Sequence, residues 1–282
     1  MDKSEILELK KTACNVRLWT IEGVFNAKSG HPGGSLSAAD IMTYLYFKEM
    51  NVDPKNPKDP KRDRFVLSKG HCCPSLYAAL ALKGFFPTDE IKSLRHIGAM
   101  LQGHPDMKHT PGIDMSSGSL GQGVSAACGM ALAAKFDNKD YRVYTVLGDG
   151  ECEEGQVWEA AMFAAHNKLD NLVIFVDQNG LQIDGAVEEV CGIEPLDKKF
   201  ESFGFEVAKI DGHSFEDIEA ALNKAKTVKG KPFAILAKTV KGKGVSFMED
   251  QVGWHGKACN DEEFKLAVKE LEDEIARLEA EV

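Results

Sequence analysis

YRVYTVL (141–147), GDGECEEG (148–155), NLVIFV (171–176) and DQNGL (177–181) make up the stretch that decides the fold. The two apolar runs are strand-length and rich in β-branched residues. The segment between them, 154–168, has the length and composition of a helix. Strand, helix and strand in succession form a crossover unit, which pairs its two strands in parallel.

The same alternation extends outward. RFVLS (64–68) reads as a strand, followed by a helix over 74–83, and the small apolar residues over 120–136 suit a buried helix. Further strands are expected over 205–210 and 233–238, with Phe215, Ile218, Leu222 and Ala225 forming a helical stripe between them. Near the N-terminus Leu7, Cys14, Leu18, Ile21 and Phe25 share one helical face, and a glycine- and proline-rich turn is expected at 29–34. A second helix is expected over 37–50, and three prolines make 53–60 an exposed loop. Residues 96–118 form a loop of the length that tends to be functional inside a compact domain. The last helix carries Phe264, Val268, Leu271, Ile275 and Leu278, a seam that needs cover from its own domain or from another chain. The expectation is an α/β fold: a mostly parallel sheet with helices on both faces, in a single domain over 1–282. Ligands meet such sheets beyond the carboxyl ends of the strands. That directs attention to the loops after Ser68, Leu147, Val176 and Lys238.

Composition narrows the function. The 282 residues hold 34 Lys and Arg against 44 Asp and Glu, a net charge of −10, which argues against nucleic-acid binding. With 43% hydrophobic and 28% charged residues, a disordered or fibrous chain is excluded. Glu5, Glu8, Lys10 and Lys11 break any signal-like apolar run, and no segment approaches the ~20 apolar residues of a membrane span. Cys14, Cys72, Cys73, Cys128, Cys152, Cys191 and Cys259 form no CxxC, so they read as reduced, mostly structural thiols of a cytoplasmic protein.

The chemistry concentrates in 148–181. Gly148 and Gly150 allow backbone amides to approach a ligand closely, and the helix start that follows favours an anion. Asp149 would repel that anion unless a cation lay between them. Asn179, one strand–helix–strand step later, reaches the same sheet edge. An Asp carboxylate, an Asn carbonyl and a backbone carbonyl are hard oxygen ligands suited to Mg²⁺ or Ca²⁺ with diphosphate oxygens and water. GDG alone also reads as an ordinary turn and Asn179 as a cap; the pairing favours the cation. His31, His104 and His255 each sit in a Gly- or Pro-flanked loop, where imidazole can exchange protons with hydroxyls. His96 and His109 read as loop residues, His166 as a helix residue and His213 as part of a cap.

GDG followed by Asn179 after an apolar strand resembles the diphosphate-binding signature of thiamine-diphosphate enzymes. SGHPGGS (29–35), SKGH (68–71), LQGHPD (101–106), SSGSLGQG (116–123) and GWHGKA (253–258) are similar to transketolase in order and spacing. The resemblance implies a thiamine-diphosphate-binding domain, with Asp149, Asn179 and the Leu181 carbonyl on Mg²⁺ (or Ca²⁺) and His71 and Gly150 beside the diphosphate. It implies that Gly118 and Leu120 hold the ring region of the cofactor and that His31, His104 and His255 contact substrate hydroxyls. Glu154 and Glu159 match acidic residues near the interface that couples paired sites. Cys72, Cys73 and Cys152 lie near this site and read as packing.

In the family a Glu that promotes the active tautomer of the cofactor, and most arginines that grip substrate phosphate, lie in a middle domain that this sequence does not contain. The resemblance therefore implies one subunit of a split transketolase, active with a separate pyrimidine-binding chain in an α₂β₂ assembly on sugar phosphates. Alternatives are a relative acting on a sulfosugar or branched pentulose, an α chain of a 2-oxo acid dehydrogenase, and a non-catalytic cofactor-binding remnant.

Overall fold

The computed structural model describes residues 1–281; Val282, the last residue of the expected domain, lies outside them. Its sheet contains β1 (Arg64–Leu67), β2 (Val143–Gly148), β3 (Leu172–Gln178), β4 (Glu206–Asp211) and β5 (Phe233–Lys238). The strands are all parallel, in the order β1-β2-β3-β5-β4. The helices are α1 (Lys3–Ala27), α2 (Pro32–Ser37), α3 (Ala39–Tyr44), α4 (Cys73–Lys83), α5 (Gln122–Phe136), α6 (Gly155–His166), α7 (Val187–Cys191), α8 (Leu196–Ser202), α9 (Phe215–Thr227) and α10 (Asp261–Glu279).

The period of two along each strand separates two cores. Phe65, Leu67, Tyr144, Val146, Val173, Phe175, Phe233 and Ile235 face the layer built by α1, α3, α4 and α9. Val66, Val143, Leu147, Leu172, Ile174, Val176, Ala234 and Leu236 face α5, α6 and α8. The central strands are therefore buried almost throughout, whereas the edge strand β4 is half exposed. The expected α/β sheet with helices on both faces is observed.

Several local expectations are corrected. The turn expected at 29–34 is already helix from Pro32, because proline at the first helical position costs no hydrogen bond. A Cβ on Gly33 would lie 2.9 Å from the Trp254 carbonyl oxygen and one on Gly34 2.7 Å from Cys72 Sγ, so the glycines let α2 pack against neighbouring loops. The single helix expected over 37–50 is broken into α2, α3 and a π-helical turn at Leu45–Glu49. Gly121, left-handed at φ 80°, delays α5 to Gln122. GDG does not run straight into α6: a 3₁₀ turn, Gly150–Glu153, comes between. Helices α7 and α8 have no counterpart in the sequence pattern. The seam of α10 is covered by α1, with Phe25 stacked on Phe264 at 3.9 Å and Leu278 against Leu7 and Cys14.

Candidate active site

The register sets Gly148 beside Asp177 and Asp177 beside Ala237, so the ends of β2, β3 and β5 lie side by side, with the end of β1 next to β2. The loops leaving these ends enclose a cavity of about 230 Å³. His31, His71, His255, Gly118, Leu120, Asp149, Gly150, Asn179 and Leu181 all line it. Residues spread over most of the sequence are thus brought together as expected.

Asp149 is 3% exposed. Its carboxylate accepts from Gly180 N–H at 2.5 Å and Gly150 N–H at 2.9 Å. Burial pushes its carboxyl up to about 6, with Asp177 adding to the rise; the two amides and Lys69 oppose it. Among the described residues no cationic side chain pairs with Asp149. Asn179 Oδ1 accepts from Leu181 N–H (3.1 Å), and the Leu181 carbonyl accepts from Lys241 Nζ (2.9 Å).

The His31, His71 and His255 rings form a triangle with centroid separations of 5.2, 5.3 and 5.4 Å. All three are kept neutral chiefly by burial. His31 is pushed down to about 4, also by Arg95, His104 and Lys241. His255 is pushed down to about 3, also by Lys241, His31 and Lys69, and His71 lies well below the ordinary range. An ammonium can only donate, so His255 Nδ1, 3.0 Å from Lys241 Nζ, accepts and the ring proton sits on Nε2. His31 Nδ1 is buried without a partner among the described residues.

His104 adjoins this group rather than joining it. Its side chain is exposed, its ring lies against Gly118, where a Cβ would come within 2.9 Å, and its carbonyl accepts from Tyr77 Oη (2.9 Å). Glu154 and Glu159 are exposed on the outer side of α6 and do not line the cavity.

Sequence reasoning missed four charged residues. Lys69, 2% exposed, pairs with the fully buried Asp177 and donates to the Gly34 carbonyl at 2.9 Å. Asp177 also accepts from Ser37 Oγ (2.6 Å) and from Thr239 Oγ1. Glu151, 2% exposed, accepts from Ser68 Oγ (2.5 Å), Gly121 N–H (2.8 Å) and Gly148 N–H (3.1 Å), tying three loops together. The fourth is Lys241, whose proton affinity burial lowers. Lys69 stands inside the SKGH motif and Lys241 in the loop after Lys238, so the signal for both was their position.

The donor set fits a metal–diphosphate group. A buried carboxylate without a cation, an amide oxygen and a carbonyl supply hard ligands; Lys69 and Lys241 supply positive charge; Gly34, Gly118, Gly148 and Gly150 leave room along the wall. No three His, Cys, Asp or Glu side chains cluster as a metal cage among the described residues, so ligand oxygens would have to complete the shell.

Residues 9–275 match the family model described as transketolase, thiamine diphosphate binding domain. The 6-deoxy-6-sulfo-D-fructose transketolase subunit SqwG of Clostridium sp. (strain MSTE9) is 50% identical over 270 residues, covering 96% of this chain and 98% of that protein. An apulose-4-phosphate transketolase subunit of Phocaeicola vulgatus is 43% identical over 277 residues, covering 98% of each. The crystal structure of transketolase from Campylobacter jejuni superposes with a TM-score of 0.87 at 33% identity, over 99% of this chain and 48% of that one. The chain thus spans about half the length of that solved enzyme and nearly all of the two subunits.

Proposed function

The chain belongs to the transketolase thiamine-diphosphate-binding domain family, and from this premise we propose that it is the diphosphate-binding subunit of a split transketolase. The assembled enzyme transfers a two-carbon ketol unit from a ketose phosphate to an aldose phosphate. The observation that carries the reading is the convergence of Asp149, Asn179, Lys69, Lys241 and three neutral histidines on one cavity, in a chain that matches two named transketolase subunits almost end to end.

Asp149, the Asn179 amide oxygen and the Leu181 carbonyl hold the divalent cation, Mg²⁺ in this reading. Lys241 and His71 meet the diphosphate, and Gly118 and Leu120 face the rings of the cofactor. When bound, thiamine diphosphate supplies the nucleophilic carbon that accepts and passes on the two-carbon unit. His255 presents Nε2–H to a substrate hydroxyl, and His31 offers its ring nitrogens to the neighbouring one. Because both rings are neutral, each can take up or donate a proton without first losing a charge, His255 through Nε2 alone because Lys241 occupies its Nδ1. His104 contacts the substrate at the rim.

The pyrimidine-binding half comes from a second chain in an α₂β₂ assembly. Exposed Glu154, just before α6, and Glu159, Met162 and Phe163 on it offer a surface to this second chain. A cytoplasmic location is supported by seven free cysteines, six of them buried; among the described residues no helix is long and apolar enough to cross a membrane. The 50% identity to a sulfofructose transketolase subunit favours a second reading, in which the donor is a 6-sulfosugar.

The test is co-purification from the source cell, then assay of each chain alone and together with xylulose 5-phosphate and with 6-deoxy-6-sulfofructose as donors. Ketol transfer should require both chains, Mg²⁺ and thiamine diphosphate. Transfer by this chain alone at the rate of the mixture, or none from either donor by the mixture, would refute the proposal.

A further inference from the structure

The long loop at 96–118 is preceded by a cation that the chemistry above leaves unused. Arg95 has a left-handed backbone (φ 61°), uncommon for a non-glycine residue, and its N–H closes the loop onto the Leu101 carbonyl at 2.8 Å. Its guanidinium donates to Ser29 Oγ (3.0 Å) and, more weakly, to the Gly103 carbonyl (3.4 Å). Ser29 stands two residues before His31, and Gly103 directly precedes His104. A Cβ on Gly103 would lie within 2.9–3.1 Å of the guanidinium, so glycine lets that group lie against the main chain. Arg95 therefore spans the two loops that carry His31 and His104.

Two of its N–H donors are used and the rest are open among the described residues. Among the described residues no carboxylate lies within ion-pair distance of Arg95, and the two acids on the same loop are engaged elsewhere, Asp106 by His109 at 2.5 Å and Asp114 by Arg62. Its positive charge also depresses the proton affinities of His31 and His104, which places it in their field. A half-buried guanidinium with open donors beside a cavity for sugars is suited to a tetrahedral oxyanion, which it can bind in bidentate fashion.

We propose that Arg95 binds the anionic end group of the sugar substrate, a phosphate or a sulfonate, at the rim of the cavity. A sugar whose hydroxyls meet His31 and His104 lies against the two loops that Arg95 joins. The inference rests on the ketol-transfer reading and adds a specificity determinant on this chain to any on the partner.

The assembled two-chain enzyme is assayed with D-erythrose 4-phosphate and with D-erythrose as acceptors, using one common donor, in wild type, Arg95→Gln and Arg95→Lys. Gln retains donors for Ser29 and Gly103 but not the charge; Lys retains the charge. Arg95→Gln should raise KM for the phosphorylated acceptor about 10- to 100-fold and leave KM for erythrose within about two-fold, and Arg95→Lys should recover much of the loss. A parallel comparison of 6-deoxy-6-sulfofructose with fructose 6-phosphate as donors distinguishes sulfonate from phosphate. Calorimetric titration with erythritol 4-phosphate, which cannot react, reads the same contact independently of turnover and should show the same weakening in Arg95→Gln. Equal losses on charged and neutral acceptors would make Arg95 only a clamp between loops and overturn the proposal, as would no loss on either. If wild type transfers no ketol unit, the functional reading fails, while unchanged or weakened binding of the alditol phosphate in Arg95→Gln still decides the role of Arg95.

Discussion

Replacing Asp149 by Asn tests the buried carboxylate in isolation. In a chain stripped of divalent cations, burial raises this carboxyl from 3.8 to about 6. At about 1.4 kcal/mol per pH unit, the ionised form then costs the fold about 3 kcal/mol. Below pH 3.8 both folded and unfolded chains are protonated and the penalty is absent. Between 3.8 and about 6 the unfolded chain ionises first, so stability falls as pH rises, and above about 6 the full penalty persists. Asn cannot ionise and resembles the protonated carboxyl, with one oxygen still accepting from Gly150 or Gly180. In chelator at pH 7.5 the Asp149→Asn chain should be more stable than wild type by about 2–3 kcal/mol, or about 5–10 °C in Tm, and the advantage should vanish by about pH 4. Adding Mg²⁺ and thiamine diphosphate should reverse the order, since ligand at about 1,000 times its Kd adds about 4.1 kcal/mol to a chain that binds it. Urea and thermal melts from pH 4 to 8, with and without cation and cofactor, give all these values. A variant no more stable than wild type in chelator, or an offset independent of pH, would refute the burial argument. A variant that keeps its Mg²⁺-dependent cofactor gain would refute the metal assignment.

His255→Ala should leave cofactor affinity within a few-fold and lower kcat of the assembled enzyme by about 10²- to 10⁴-fold, the range for a group that moves protons to substrate. Cofactor titration followed by protein fluorescence checks the first part; a folded variant unable to hold cofactor would show that the ring serves the cofactor. Because His31 and His255 are held down to about 4 and about 3, kcat/KM should show no inflection near 6.5 from either ring. An inflection near 6.5 that disappears in His255→Ala would contradict this.

The crossover unit at 141–181 was legible because two strand-length runs rich in β-branched residues frame a segment of helix length. The histidine loops were legible because Gly and Pro mark where backbone must turn close to a ligand. Buried charge was harder to read. Lys69 and Asp177 are 108 positions apart and become a pair only when β1 and β3 flank β2; in sequence each looks like an ordinary polar residue at a strand end. Glu151, one of several acids in ECEE, turned inward only because three loops present donors to it, a fact of tertiary structure. Residues 29–34 misled because Gly and Pro usually signal turns, whereas here the same residues start a tightly packed helix.

The net charge of −10 looked like the wrong sign for a diphosphate ligand, and the structure shows why it is not decisive. Around the cavity the ammonium groups of Lys69 and Lys241 stand against the carboxylates of Asp149, Asp177 and Glu151. Lys69 is spent on Asp177, so its charge is largely compensated before any ligand arrives. Protein side chains alone thus leave the cavity no net positive charge to offer. A divalent cation on Asp149, as proposed, would change that sign locally while the rest of the surface stays acidic. In the proposed reading metal and anion would thereby be coupled: the carboxylate that would repel the diphosphate is the group that would recruit the ion binding it. Burial of Asp149 strengthens this coupling, because a carboxylate poorly served by solvent gains most from a cation.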